Sequence, residues 1–171
     1  MQSRTKAVRV AFLGLLLALT LILSYVESLF PLVIGIPGVK LGLANLAIVL
    51  ALYATGWQTA LLLNVVRVLL SGFLFGNLAS ILYSMAGAIL SLGVMALLKR
   101  THFRMGTVSI AGGVSHNIGQ LLVAVCVVEN IHLFYYLPWL ILAGMLTGGL
   151  IGIVSTTVWR YLGRWTKEHG F

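Results

Sequence analysis

A lone guanidinium, Arg67, stands inside the apolar stretch 59–74 of a 171-residue chain in which 60% of residues are hydrophobic and 8% are charged. Burying such a charge near a bilayer centre costs about 2.5–3.5 kcal/mol even on the lenient insertion scale, so it needs a compensating partner. Helical spacing puts Ala60, Asn64, Arg67 and Ser71 on one stripe, and Gly113, His116, Asn117 and Gln120 on a face of another apolar stretch. Facing each other, the two groups would line a cavity in the outer half of a helical bundle, where Arg67 takes an anionic group and Asn64, His116, Asn117 and Gln120 orient a ligand by hydrogen bonds. Each residue also has a plainer reading. Glu27 or Glu129 can neutralise Arg67 as an internal ion pair, His116 can be a packed histidine tying helices together, and Asn117 and Gln120 can be interhelical glue.

Other residues extend the candidate set. Lys40 could meet a carboxylate or phosphate, or simply be solvated near an interface. The segment from Glu129 through His132, Phe134, Tyr135, Tyr136 and Trp139 reads as an interfacial aromatic belt, or as a lip over the cavity able to stack on a flat ligand. If that ligand were haem, His132 or His116 would be its axial donor. The lone Cys126 precludes an internal disulfide and points to no metal cluster.

The elements that must position these groups are membrane helices. A mean hydropathy of +1.08 leaves too little polar surface to cover a soluble globule. With about 20 apolar residues required per span, we read six transmembrane helices near 7–25, 38–55, 58–74, 78–98, 108–128 and 133–162, in a single all-α membrane domain covering 1–171. Arg4, Lys6 and Arg9, then Lys99, Arg100 and Arg104, then Arg160, Arg164 and Lys167 all fall on one side of such a bundle. The positive-inside rule makes that side cytoplasmic, so both termini are expected inside a multi-pass protein of the cell membrane. This distribution also explains the net charge of +8 without nucleic-acid binding. The first apolar run is too long for a signal peptide and lacks a small-x-small cleavage pattern. Pro31 and Pro37 predict an outer loop rather than a helix over 30–40.

Stripes of small residues predict which faces meet protein, because lipid offers no hydrophobic incentive for helices to associate. Such stripes are Gly144, Gly148 and Gly152 in the last span, and Asn77, Ser80, Ser84, Gly87 and Ser91 in the fourth. Ala7, Ala11, Gly14 and Ala18 form a third at the cytoplasmic end of the first span, where another subunit could dock.

Two stretches, 38–46 (Gly-Val-Lys-Leu-Gly-Leu-Ala-Asn-Leu) and 112–121 (Gly-Gly-Val-Ser-His-Asn-Ile-Gly-Gln-Leu), resemble the membrane family catalogued as heptaprenyl diphosphate synthase component I, also called the Gx transporter family. That family in turn resembles the substrate-binding S components of energy-coupling factor (ECF) importers, six-helix proteins with an outward-facing site capped by loops. The resemblance implies an ECF coupling transmembrane subunit and two ATPase subunits as partners, and a small-molecule cargo. It also implies docking through an Ala-x-x-x-Ala pattern on the first helix, which Ala7 and Ala11 match here.

The chemistry of the residues bears on the synthase name. Prenyl transfer holds magnesium with clustered aspartates, and this chain has none, its acids being Glu27, Glu129 and Glu168. Nor is there a G-x-x-x-x-G-K-[ST] run to cradle nucleotide phosphates. We therefore expect no enzyme and no intrinsic cofactor, but a binding subunit whose cargo is haem, a flavin, or a quinone or isoprenoid precursor. The other readings are a non-catalytic subunit of a prenyl diphosphate or quinone biosynthetic complex, and a solitary secondary carrier.

Overall fold

In the computed structural model, backbone is described for residues 2–29 and 42–168 and side chains for 7–29 and 42–166. The described residues form six α-helices and one short 3-10 helix. In chain order these are α1 (Gln2–Leu29), α2 (Asn45–Thr55), α3 (Trp57–Phe75), α4 (Leu78–Arg100), α5 (Met105–Val128), the 3-10 turn Ile131–Tyr136, and α6 (Leu137–Glu168).

Five of the six helices are long and apolar enough to cross a membrane, and α2 is not. Its 11 residues rise about 16 Å, half of a hydrocarbon core about 30 Å thick. The sequence reading began this span at residue 38; the described helix starts at Asn45, after a turn in which Gly42 takes φ +77°. Residues 38–41, Lys40 included, and the prolines of the expected outer loop lie outside the described residues.

The ends of the helices follow from local chemistry. Gly56, at φ +89° and ψ 174°, alone connects α2 to α3, a conformation that only glycine adopts readily. Asn77 and Ser80 form a reciprocal cap at the start of α4, with the Ser80 N–H donating to Asn77 Oδ1 at 2.8 Å and the Asn77 N–H to Ser80 Oγ at 3.0 Å. The spacing predicts that both belong to an inward stripe; they serve the helix end instead. Glu129, left-handed at φ 52°, ends α5. The expected loop over 129–139 is mostly a 3-10 turn running directly into α6, with Pro138 in the first helical turn, where its missing N–H costs nothing.

Packing divides the bundle. α5 lies between α4 and α6. A Cβ on Gly113 would stand 2.4 Å from the Gly144 carbonyl oxygen, one on Gly148 2.7 Å from that of Ser109, and one on Gly152 2.9 Å from Gly106 Cα. The last-span glycines thus press on the backbone of α5, as the stripe predicted. Elsewhere the core is side-chain packing around α2: Ile48, Val49 and Leu52 are fully enclosed by Phe12 and Leu16 of α1, Leu63 of α3, Met95 of α4 and Val108 of α5. α2 is apolar all round because protein, rather than lipid, surrounds it.

Among the described residues, Lys99, Arg100 and Arg104 around the α4–α5 turn and Arg160 and Arg164 near the end of α6 gather at one end, apart from Arg67. The Lys99 ammonium there donates to the Leu52 carbonyl at 2.7 Å, satisfying an orphan acceptor in the last turn of α2, and lies 5.1 Å from the centre of the Tyr53 ring. Tyr53 packs on Trp159, and Phe12 on Trp165, so the starts of α1 and the ends of α2, α4 and α6 meet.

Candidate functional site

The polar residues of α3 and α5 do not face each other. α4 stands between the two helices, and the polar groups approach its Gly87–Ala88 step from both sides. From α3, Asn64 Nδ2 donates to the Ala88 carbonyl at 3.3 Å. From α5, the backbone and ring of His116 and the stem of Gln120 lie 2.7–3.0 Å from where a Gly87 Cβ would be. The expected shared cavity between α3 and α5 is therefore replaced by two polar seams against one helix. Missing side-chain bulk at Gly87 and Ala88 exposes α4 carbonyls that polar neighbours can reach, which favours this arrangement in a medium without water.

Arg67, 4% exposed, donates from Nη2 to Asn64 Oδ1 at 2.7 Å. Glu27, at the end of α1 and 5% exposed, is the acid that acts electrostatically on it. Glu27 Oε1 also accepts the backbone N–H of Gly42. One carboxylate thus compensates the buried cation and anchors the turn that begins α2. Of the two acids that could neutralise Arg67 from within the chain, Glu27 is the buried one that acts on it; Glu129 is exposed on the surface.

A separate cavity opens among α2, α4, α5 and α6. Gly42, Asn45 and Val49 line one side and Met95 another; Ser109, Gly112, Gly113, His116 and Asn117 come from α5, and Thr147, Gly148 and Ile151 from α6. It holds about 10 Å³, the room of a single water. Its lining lies from the middle of α5 toward the basic end, not in the opposite half where the sequence placed it. His116 and Asn117 belong to it; Arg67, Asn64, Gln120 and His132 do not. No charged side chain lines it among the described residues.

Several lining groups are already engaged. Asn117 Nδ2 donates to the Leu140 carbonyl at 2.9 Å, Ser109 Oγ to that of Gly148 at 2.7 Å, and Thr147 Oγ1 to that of Ala143 at 2.9 Å. Asn117 is interhelical glue as well as lining. The sequence reading missed Asn45, Ser109 and Thr147 as lining residues. Asn45 carried a signal, since it is the one amide in the 38–46 stretch, but its turn toward α5 depends on how α2 is rotated.

His132 sits exposed in the 3-10 turn, its ring stacked on that of Tyr135 at 5.9 Å and 8° between planes. Tyr135 and Trp139 are 79% and 65% exposed, the amphipathic edge that an interfacial belt presents. Lys40 lies outside the described residues. On α1, Ala7, Ala11, Gly14 and Ala18 are all exposed, and a Cβ on Gly14 would meet nothing within 4 Å. The opposite face, with Phe12, Leu16, Thr20, Ser24 and Glu27, is buried in the bundle.

Comparison with known proteins yields one positive finding. The family model described as heptaprenyl diphosphate synthase component I matches residues 16–158. No curated protein and no solved structure gives a match. The matched region runs from the middle of α1 to the last turns of α6 and holds the cavity and both polar seams. A chain of apolar helices matched over that length belongs to the heptaprenyl diphosphate synthase component I family, the Gx transporter family, and is a multi-pass membrane protein.

Proposed function

We propose that this protein is the substrate-capturing subunit, an S component, of an ATP-driven ECF importer in the cell membrane, taking a small cofactor or precursor from outside. In this reading α2 belongs to a sixth crossing, and both termini are cytoplasmic, as the cluster of Lys99, Arg100, Arg104, Arg160 and Arg164 at one end favours.

The observation that carries the reading is the pairing of an exposed small-residue face on α1 with a polar cavity inside the bundle. Small residues bring helix backbones close. The stripes of α5 and α6 already serve that purpose within the chain, whereas that of α1 is turned away from it. An ECF coupling transmembrane subunit with its two ATPases is the partner that the family resemblance supplies. The cavity in its present state admits about one water, so a cofactor-sized cargo enters only when helices part.

Co-expression with a coupling subunit and its ATPases tests the proposal. Affinity-tagged wild-type protein should retain all three subunits, and Ala11→Trp should lose them with an unchanged melting temperature. A wild-type protein that captures none of them, with uptake that stops when the proton gradient is collapsed, would instead identify a solitary secondary carrier. The family's descriptive name favours a second reading, a membrane subunit of a prenyl diphosphate or quinone biosynthetic complex. Its chemistry would have to reside in a partner, since a chain without aspartate has no clustered carboxylates for magnesium diphosphate. Magnesium-dependent chain elongation by the purified protein would overturn that argument. For haem as cargo, a Soret shift abolished by His116→Ala or His132→Ala is the expected signature, and an unchanged spectrum in both removes histidine ligation.

A further inference from the structure

We infer that Asn45 and Asn117 form a recognition pair for an uncharged ligand group that presents both a hydrogen-bond donor and an acceptor, such as a primary amide or a lactam edge. The inference rests on the binding role proposed above and names the chemistry of its cargo.

Asn45 is 6% exposed and lines the cavity, and its side-chain amide makes no hydrogen bond with any described residue. A buried carboxamide has two donors and an acceptor, and leaving them unmade costs far more inside a bundle than in water. Asn117, 5% exposed and on the same cavity, donates once, to the Leu140 carbonyl, and its Oδ1 accepts from no described residue. Two amides from different helices therefore present spare donors and a spare acceptor to one enclosed space.

The remaining lining sets the charge of what enters. Met95, Val49 and Ile151 are apolar, no lysine or arginine lines the cavity among the described residues, and His116 is its one titratable side chain. Arg67 is held by Asn64 and lies under the field of Glu27, away from this lining. An ionised carboxylate or phosphate would lose its hydration here with no lysine or arginine to meet it. A neutral amide, admitted as the helices part, would carry no charge to desolvate and would exchange hydrogen bonds with the two asparagines.

Nicotinamide and nicotinate differ in this property alone, and serve as probes for the protein in lipid nanodiscs, with saturation-transfer difference NMR as the readout. Nicotinamide should bind at least roughly tenfold more tightly than nicotinate, and Asn45→Ala should weaken it roughly tenfold, the loss expected when one buried hydrogen-bonding group is removed. The Asn45→Ala melting temperature should stay near wild type, because that side chain holds nothing in the fold; Asn45→Asp should reject both probes. Equal or tighter binding of nicotinate, an undiminished nicotinamide affinity in Asn45→Ala, or no binding of either probe overturns the assignment. Tighter nicotinate lost in Arg67→Gln would transfer the site to the α3 seam. The transport reading fails separately, since retention of the coupling subunit through α1 is measured without either probe.

Discussion

The two halves of this bundle are held by different forces. α4, α5 and α6 meet backbone to backbone at glycines, while α1 and α3 are joined to α2 by branched and aromatic side chains, with Glu27 of α1 at one end of that helix and Lys99 of α4 at the other. In lipid the first mode is rigid, because van der Waals contact and short Ser-to-carbonyl bonds leave no slack. Ser91 Oγ donates to the Gly112 carbonyl at 2.8 Å, and Ser109 does the same to α6. The second mode rests on side-chain packing and on two polar contacts, Glu27 to Gly42 and Lys99 to Leu52. The cavity lies on the boundary, with its glycine-packed wall on α5 and α6 and its side-chain-packed wall on α2.

The largest expected effect is on the glycine-packed half. Gly113→Leu drives a side chain into the Gly144 carbonyl and should cost more than about 3 kcal/mol, seen as loss of a monodisperse folded species in mild detergent. A variant that melts like wild type would show that α5 and α6 are not locked together. Next comes the charged contact on the other side. Glu27→Ala leaves the Arg67 guanidinium uncompensated, and about 3 kcal/mol of destabilisation is expected in SDS unfolding titrations. Combining it with Arg67→Leu should restore a good part of that loss; strictly additive losses would mean the two charges are independent. Lys99→Met removes the donor to the Leu52 carbonyl and should cost about 1 kcal/mol, with faster hydrogen exchange confined to the last turn of α2. The smallest effect belongs to the free face of α1. Gly14→Ala meets no atom within 4 Å and should raise stability by up to about 1 kcal/mol through helix propensity. A clear loss in the isolated protein would show that this face is packed after all, and would weaken the case that it awaits a partner.

The helices themselves were legible. Uninterrupted apolar runs and flanking arginines and lysines located five membrane-length helices to within a few residues, since a backbone in lipid has few other ways to satisfy its hydrogen bonds. The glycine stripe of α6 was legible for the same reason: in a membrane helix, small residues at every fourth position mark close approach. Asn77 and Ser80 were misread because a cap and a packing stripe share residue types and spacing. The site was only partly legible. Periodicity grouped His116 with Asn117 and Asn64 with Arg67, and both groupings hold, but it joined them across a cavity that α4 in fact fills.

By itself the sequence determined the class of molecule, the helices, and that Arg67 must have a counter-charge, because the cost of a charge in hydrocarbon does not depend on which helices are neighbours. The order of the helices around the bundle, the choice of Glu27 over Glu129, and the entry of Asn45 into the cavity were decided only in three dimensions. Helical periodicity specifies which residues share a face but not what that face meets. In a membrane, lipid-facing and protein-facing apolar surfaces read alike, so the rotation of each helix is set by the backbone contacts that its glycines permit.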